Sequence, residues 1–132
     1  MAQPSQFELS TEQYIVADHY IASSVADVQF FTAPVKCQVV AVREVHATAG
    51  NDAGAVTGTI RRCQGTEAAT AGDDLLSATI NFKGTALTEQ TPALTTTNGD
   101  LILEAGNRLA LDVTGTTTTL AGVIITVLLK RV

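Results

Sequence analysis

The chain of 132 residues carries two histidines, His19 and His46, and two cysteines, Cys37 and Cys63, as its imidazoles and thiols. A hydrolase or transferase built on them needs a base positioned beside an activated nucleophile, and no nucleophile-elbow pattern accompanies either histidine. His19 alternates on a polar strand face, and His46 closes a strand beside the loop that starts at Ala47. Cys37 sits in an apolar run, where a thiol keeps its proton and stays inert. Two cysteines 26 residues apart form no CxxC metal pair, so both read as free, buried thiols. Asn51-Asp52 and Asp73-Asp74 offer oxygen ligands in Gly-containing loops, but their spacing matches no calcium loop, and turn-forming residues account for them equally well. Glu44 with Asp112 is a formal carboxylate pair for glycoside hydrolysis; that chemistry wants a cleft with aromatic platforms, and the chain has no Trp and two Tyr. The expectation is a protein that is not an enzyme, with no catalytic residue, cofactor or metal.

The elements that would position these residues are strands. From Leu101 the apolar residues alternate (Leu101, Leu103), a Gly-Asn turn follows at 106–107, and Leu109, Leu111 and Val113 alternate again. Val123 to Leu129 is apolar on both faces, which marks a central strand or one covered by another subunit. Tyr14–Ile21 is dense in β-branched and aromatic residues. Lys36–His46 is a long strand with Cys37, Val39, Ala41, Arg43 and Val45 on one face and Val40, Val42, Glu44 and His46 on the other, running from core to rim. Ala55–Cys63 lies between two loops of nearly the same wording, ATAGND at 47–52 and ATAGDD at 69–74. Leu75–Lys83 alternates cleanly, Asn98-Gly99 is a hairpin signal, and a second turn falls at 104–107. Eight or nine strands with no convincing helix make an all-β, antiparallel β-sandwich over residues 11–132, preceded by an extended arm over residues 1–10.

The charged fraction is 16 % and the net charge −5. Residues 1–35 hold four of the thirteen acidic residues and none of the eight basic ones. Such a chain suits contact with protein, not with phosphate backbones, and adjacent Arg61 and Arg62 read as a solvated strand end. Residues 1–13 lack the apolar core of a signal peptide and no segment is long enough for a membrane helix, so the expectation is a protein made in a cytoplasm, without membrane or nucleic-acid partners.

Phe31-Thr32-Ala33-Pro34 leading into the Lys36–His46 strand resembles the F-x-A-P segment before a core strand of tumour-necrosis-factor-like jelly rolls. Leu103-Glu104-Ala105-Gly106-Asn107-Arg108-Leu109-Ala110-Leu111, followed by Gly122-Val123-Ile124-Ile125, is similar to their late strands, with Asn107 where those have an acid. The order APVKCQVVAVREVHATAG, RRCQGTEAATAGDDLL and LALDVTGT, within residues 14–129, resembles the head decoration, cement or head-fibre proteins of tailed bacteriophages. That resemblance implies a jelly-roll-like sandwich, a homotrimer, and a place on the outside of an assembled capsid, with the major capsid protein as partner. The doubly apolar Val123–Leu129 run adds the expectation of a subunit interface through Ile124 and Leu128, and the resemblance implies capsid contact by the arm through Phe7, Glu8 and Leu9. The alternative is a trimeric receptor- or glycan-binding head working through apical loops at 47–54, 64–74 and 114–119.

Overall fold

The computed structural model describes residues 13–132. These build nine strands and one 3-10 turn: β1 (Tyr14–Ile21), β2 (Val28–Thr32), β3 (Cys37–Thr48), β4 (Thr57–Cys63), β5 (Asp73–Asp74), β6 (Ile80–Asn81), a 3-10 helix (Asn98–Leu101), β7 (Ile102–Leu103), β8 (Arg108–Thr114) and β9 (Ala121–Arg131). Among the described residues no helix is long and apolar enough to cross a membrane.

The strands form two antiparallel sheets, ordered β1-β9-β3-β7 and β2-β8-β4-β5, with β6 also on β4. The first strand pairs with the last (β1–β9), the second with the next to last (β2–β8), then β3 with β7 and β4 with β5. The chain is one long antiparallel ribbon wrapped on itself, which is the jelly-roll winding, and β3–β9 and β4–β8 ladders close each sheet. Between the sheets lies a continuous core that includes Ile60, Phe82, Leu109, Leu111, Val123, Ile125, Val127 and Leu129.

β9 is central, as its two-sided apolar pattern predicts, with Val123, Ile125, Val127 and Leu129 fully buried on its inner face. The two motifs that carry the resemblance meet in space. The Ala33 amide donates to Asn107 O (2.8 Å) and the Gly106 amide to Ala33 O (2.8 Å), so the turn at 104–107 docks on the FTAP segment. Gly106 holds φ +92°, a conformation that glycine adopts without penalty.

Three sequence expectations change. First, β3 contains a bulge between Val39 and Ala41. One extra residue reverses the alternation beyond it, so Cys37, Val39, Val42, Glu44 and His46 are the buried set, while Arg43 faces out. The single pair of faces expected for Lys36–His46 does not exist. Second, Leu75–Lys83 is not one strand: only Ile80–Asn81 pairs with β4, and the chain bends between Leu76 and Ile80. The core takes Leu75 and Leu76 as well as Ile80 and Phe82, and a flat strand cannot send two neighbours to one side. Third, Asn98-Gly99 opens the 3-10 helix and joins no hairpin, because the segment before it bridges Leu94 to Leu76 while β7 joins β3.

Candidate interaction surface

The two sheets differ on their outer faces. On the β2-β8-β4-β5 sheet the outward residues are polar and pair with one another. Arg61 Nε donates to Asp112 Oδ2 (2.8 Å), Thr59 to Asp74, and Arg108 to Gln29. Arg62 points the other way and closes the end of the sandwich, its guanidinium donating to Gly99 O, Ile102 O and Asp73 Oδ2 (2.8, 2.8 and 2.7 Å) and reaching Asp100. Its side chain is 12 % exposed. The arginine pair is therefore bound into the fold, not a solvated strand end.

The outer face of the β1-β9-β3-β7 sheet carries exposed apolar side chains on both sides of a polar row. Register places residues in rows across β1, β9 and β3: Tyr20–Ile124–Val45, Asp18–Thr126–Arg43, and Val16–Leu128–Ala41. Tyr14, Val16, Tyr20, Val40 and Ile124 are 53, 57, 63, 36 and 43 % exposed. Those five side chains leave on the order of 500 Å² open, taking about 150–250 Å² for a whole tyrosine and less for the aliphatics. Half-buried Ala41, Val45 and Leu128 extend the patch. The Asp18–Thr126–Arg43 row divides that area into a Tyr20–Ile124–Val45 group and a Tyr14–Val16–Val40–Leu128 group, each no larger than the roughly 300–600 Å² of a soluble monomer's largest patch. The sequence alternation builds it directly: β1 sends Ile15, Ala17, His19 and Ile21 inward and the other four residues outward.

Ile124 and Leu128, expected as interface residues, both stand on this face, Ile124 exposed and Leu128 half-buried. Val16, Tyr20, Tyr14 and Val40 belong with them and were not singled out, although the Tyr14–Tyr20 alternation carries the signal. Phe7, Glu8 and Leu9 lie outside the described residues, as does the arm over residues 1–10.

The candidate chemical groups scatter. His19 faces inward, stacked on Phe30 with centroids 5.4 Å apart, and not on a polar face. His46 is fully buried, not at a rim, and bonds Glu44. Glu44 lies inside one sheet and Asp112 on the outside of the other, bonded to Arg61, so they form no catalytic pair. Cys37 and Cys63 are free and buried, and burial pushes both thiols up in pKa. Asp52 takes the Thr118 amide and Asp73 takes Arg62. Among the described residues no three His, Cys, Asp or Glu side chains gather as a metal ligand set. The three loops expected at one apex do not converge either. The 51–52 and 117–119 segments are tied together through Asn51–Thr119 and Thr118–Asp52, near the Thr57–Thr114 end of the β4–β8 ladder. The 64–72 loop follows Cys63, which pairs with Arg108 at the other end.

No family model matches this sequence, and no curated protein matches it. The structure is similar to a solved chain described as "Cyanophage Pam1 capsid asymmetric unit", with TM-score 0.53 and 13 % identity over 92 % of this chain and 86 % of that one. What the two share is the fold.

Proposed function

We propose that this protein is a non-enzymatic structural component of a phage virion, a decoration or cement protein that binds the outside of the assembled capsid and stabilises it. The observation that carries the proposal is the set of exposed apolar side chains on the outer face of one sheet, Tyr14, Val16, Tyr20, Val40 and Ile124 with half-buried Leu128, in two groups that flank the Asp18–Thr126–Arg43 row. Apolar side chains gathered on one exposed sheet face support a protein partner there. The phage-capsid neighbour supports the virion as the setting, and the resemblance of the ordered segments APVKCQVVAVREVHATAG, RRCQGTEAATAGDDLL and LALDVTGT to decoration proteins supports the finer role.

In this reading the apolar face, with Ile124 and Leu128 at its middle strand, packs copies into a homotrimer, and the major capsid protein is the second partner. Phe7, Glu8 and Leu9 of the arm lie on a neighbouring capsid subunit. Stabilisation follows from mass action: a protein that binds the expanded lattice and not free subunits adds its binding free energy to the lattice alone. Three linked copies raise avidity without new kinds of contact. The protein is made in the host cytoplasm and ends on the capsid surface. The alternative of a receptor- or glycan-binding head is weakened by loops that lie at opposite ends of β4 and spend polar groups on each other.

The test is to measure the mass of the purified protein in solution and then sediment it with decoration-free capsids. Stoichiometric co-sedimentation of a trimer is the expected result. A monomer that stays in the supernatant overturns the proposal.

A further inference from the structure

Glu44 and His46 on β3 have side chains with no exposure, and the apolar face makes no use of them. His46 Nε2 lies 2.8 Å from Gly84 O, and a carbonyl only accepts, so the network assigns a hydrogen to that nitrogen. His46 Nδ1 lies 2.8 Å from Glu44 Oε2. The other carboxyl oxygen, Oε1, accepts from Gln90 Nε2 (2.8 Å), whose amide also donates to Asn81 O (2.8 Å). Phe82 meets the imidazole edge-on.

The same residues carry the 84–91 segment along the edge of β3. Glu44 and Gln90 exchange backbone hydrogen bonds (2.9 and 2.8 Å), and the Leu87 amide donates to His46 O (2.8 Å). Leu87 is 76 % exposed and holds φ +58°, a conformation a branched residue keeps only when its surroundings impose it. Glu89 accepts from Arg43 on the outer face (3.3 Å), so this segment forms a rim of that face.

We infer that the Glu44–His46–Gln90 network is a one-proton clamp that closes the 84–91 segment onto β3 within a window of pH and releases it on either side. The argument is a count of hydrogens. Between Nδ1 and Oε2 there is room for one proton, whether an imidazolium donates to a carboxylate or a carboxylic acid donates to a neutral imidazole; both arrangements are neutral overall. Removing it sets a nitrogen lone pair against a carboxylate and leaves a buried negative charge. Adding a second forces the acid hydrogen to face either Nδ1–H or the Gln90 amide, both donors, and leaves a buried positive charge. The contact that fails lies within β3, but either change leaves an uncompensated charge beneath the 84–91 segment, whose Gly84 and Gln90 bonds cover the pair, and opening that segment lets water reach the charge.

The surroundings offer little compensation. β9 places Val123 beside His46 and Ile125 beside Glu44, and the next titratable group on that inner row is His19 on β1, stacked on Phe30. Arg43 and Glu89 pair on the outer side, and Lys83 donates to Asp52 O and Gly54 O. Burial lifts the Glu44 carboxyl above its ordinary range, against the opposing pull of His46 and Gln90. A raised carboxyl gives stability that is whole below the ordinary range and is lost as pH rises through the raised value, which sets the alkaline release there. The acid release belongs to the second proton.

The clamp rests on the geometry alone; its effect on assembly rests on the proposed role of the apolar face. The test is amide hydrogen exchange by NMR on the full chain, corrected for intrinsic rates, through and beyond the range of roughly pH 5 to 8 in which histidine changes charge. The expected result is protection at Leu87 and Gln90 that falls about tenfold at both ends, the low end of the penalty for a buried group left unpaired, while Ile125 and Val127 hold steady. In Glu44→Gln the new amide donates to Nδ1 without a titrating proton, so the alkaline fall disappears and the acid fall stays. Flat protection at Leu87 and Gln90 in the native chain overturns the clamp, whether or not the variant folds. So does an alkaline fall unchanged in Glu44→Gln. A bell-shaped profile in a protein that ignores capsids supports the clamp and overturns the proposed function instead.

Discussion

Tyr20 stands opposite Ile124 in the β1–β9 ladder, and both side chains point away from the core. A tyrosine and an isoleucine paired across strands on an open face give the fold little and a partner much. Ile124→Glu is expected to change unfolding free energy by less than about 1 kcal/mol, the range of exposed substitutions. Sedimentation velocity should show the variant, and likewise Val16→Glu, as a monomer, against the homotrimer proposed for the native chain. An assembled Ile124→Glu variant places the interface elsewhere.

Gly58 leaves room for Phe82. A Cβ at Gly58 falls 2.6 Å from the Phe82 ring, so Gly58→Ala overpacks the core at a cost of about 1–3 kcal/mol. Phe82→Leu in the same chain makes space, and the pair in urea titration is expected to cost less than the sum of the two single changes. Strict additivity means the ring does not need the glycine.

Arg62 takes two main-chain carbonyls and a carboxylate at the end of the sandwich. Lysine keeps the charge but not the fork, so Arg62→Lys is expected to cost about 1.5–3 kcal/mol, the value of hydrogen bonds to a charged group. Arg43→Lys, at an exposed pair with Glu89, should cost less than about 1 kcal/mol. Equal midpoints for the two variants in denaturant contradict the assignment.

Cys37 and Cys63 are both fully buried, and desolvation holds both as thiols. The thiolate is the nucleophile, so iodoacetamide at neutral pH should label neither in the native protein and both in denaturant, read by mass. Native labelling of one cysteine shows that its segment opens without global unfolding.

Much of the fold is legible in the residues. The alternation of β1, β8 and β9 gives the strands and their inner faces, and Ile124 and Leu128 can be placed on an outer face before any coordinates exist. The bulge in β3 is not legible, because Val39-Val40-Ala41-Val42 is apolar throughout and carries no mark of where the phase slips. That one slip moves Glu44 and His46 from rim to interior. The role of Arg62 is not legible for another reason: its partners Asp73, Gly99, Asp100 and Ile102 come from segments that only the wrapped ribbon brings together. Leu75-Leu76 shows a third limit, since clean alternation over nine residues yielded to a core that needed two neighbours at once.

The wrapping also fixes an order of events during synthesis. Tyr14 pairs with Lys130, so the first strand made waits for the last. β3 waits as well, since β9 lies between it and β1. Until residues 121–131 leave the ribosome, two long strands expose unpaired edges and the sheet that bears the apolar face does not exist. Between the emergence of β1 and that of β9 a nascent chain is therefore aggregation-exposed, and its yield in cells should depend on chaperone supply more than its equilibrium stability suggests.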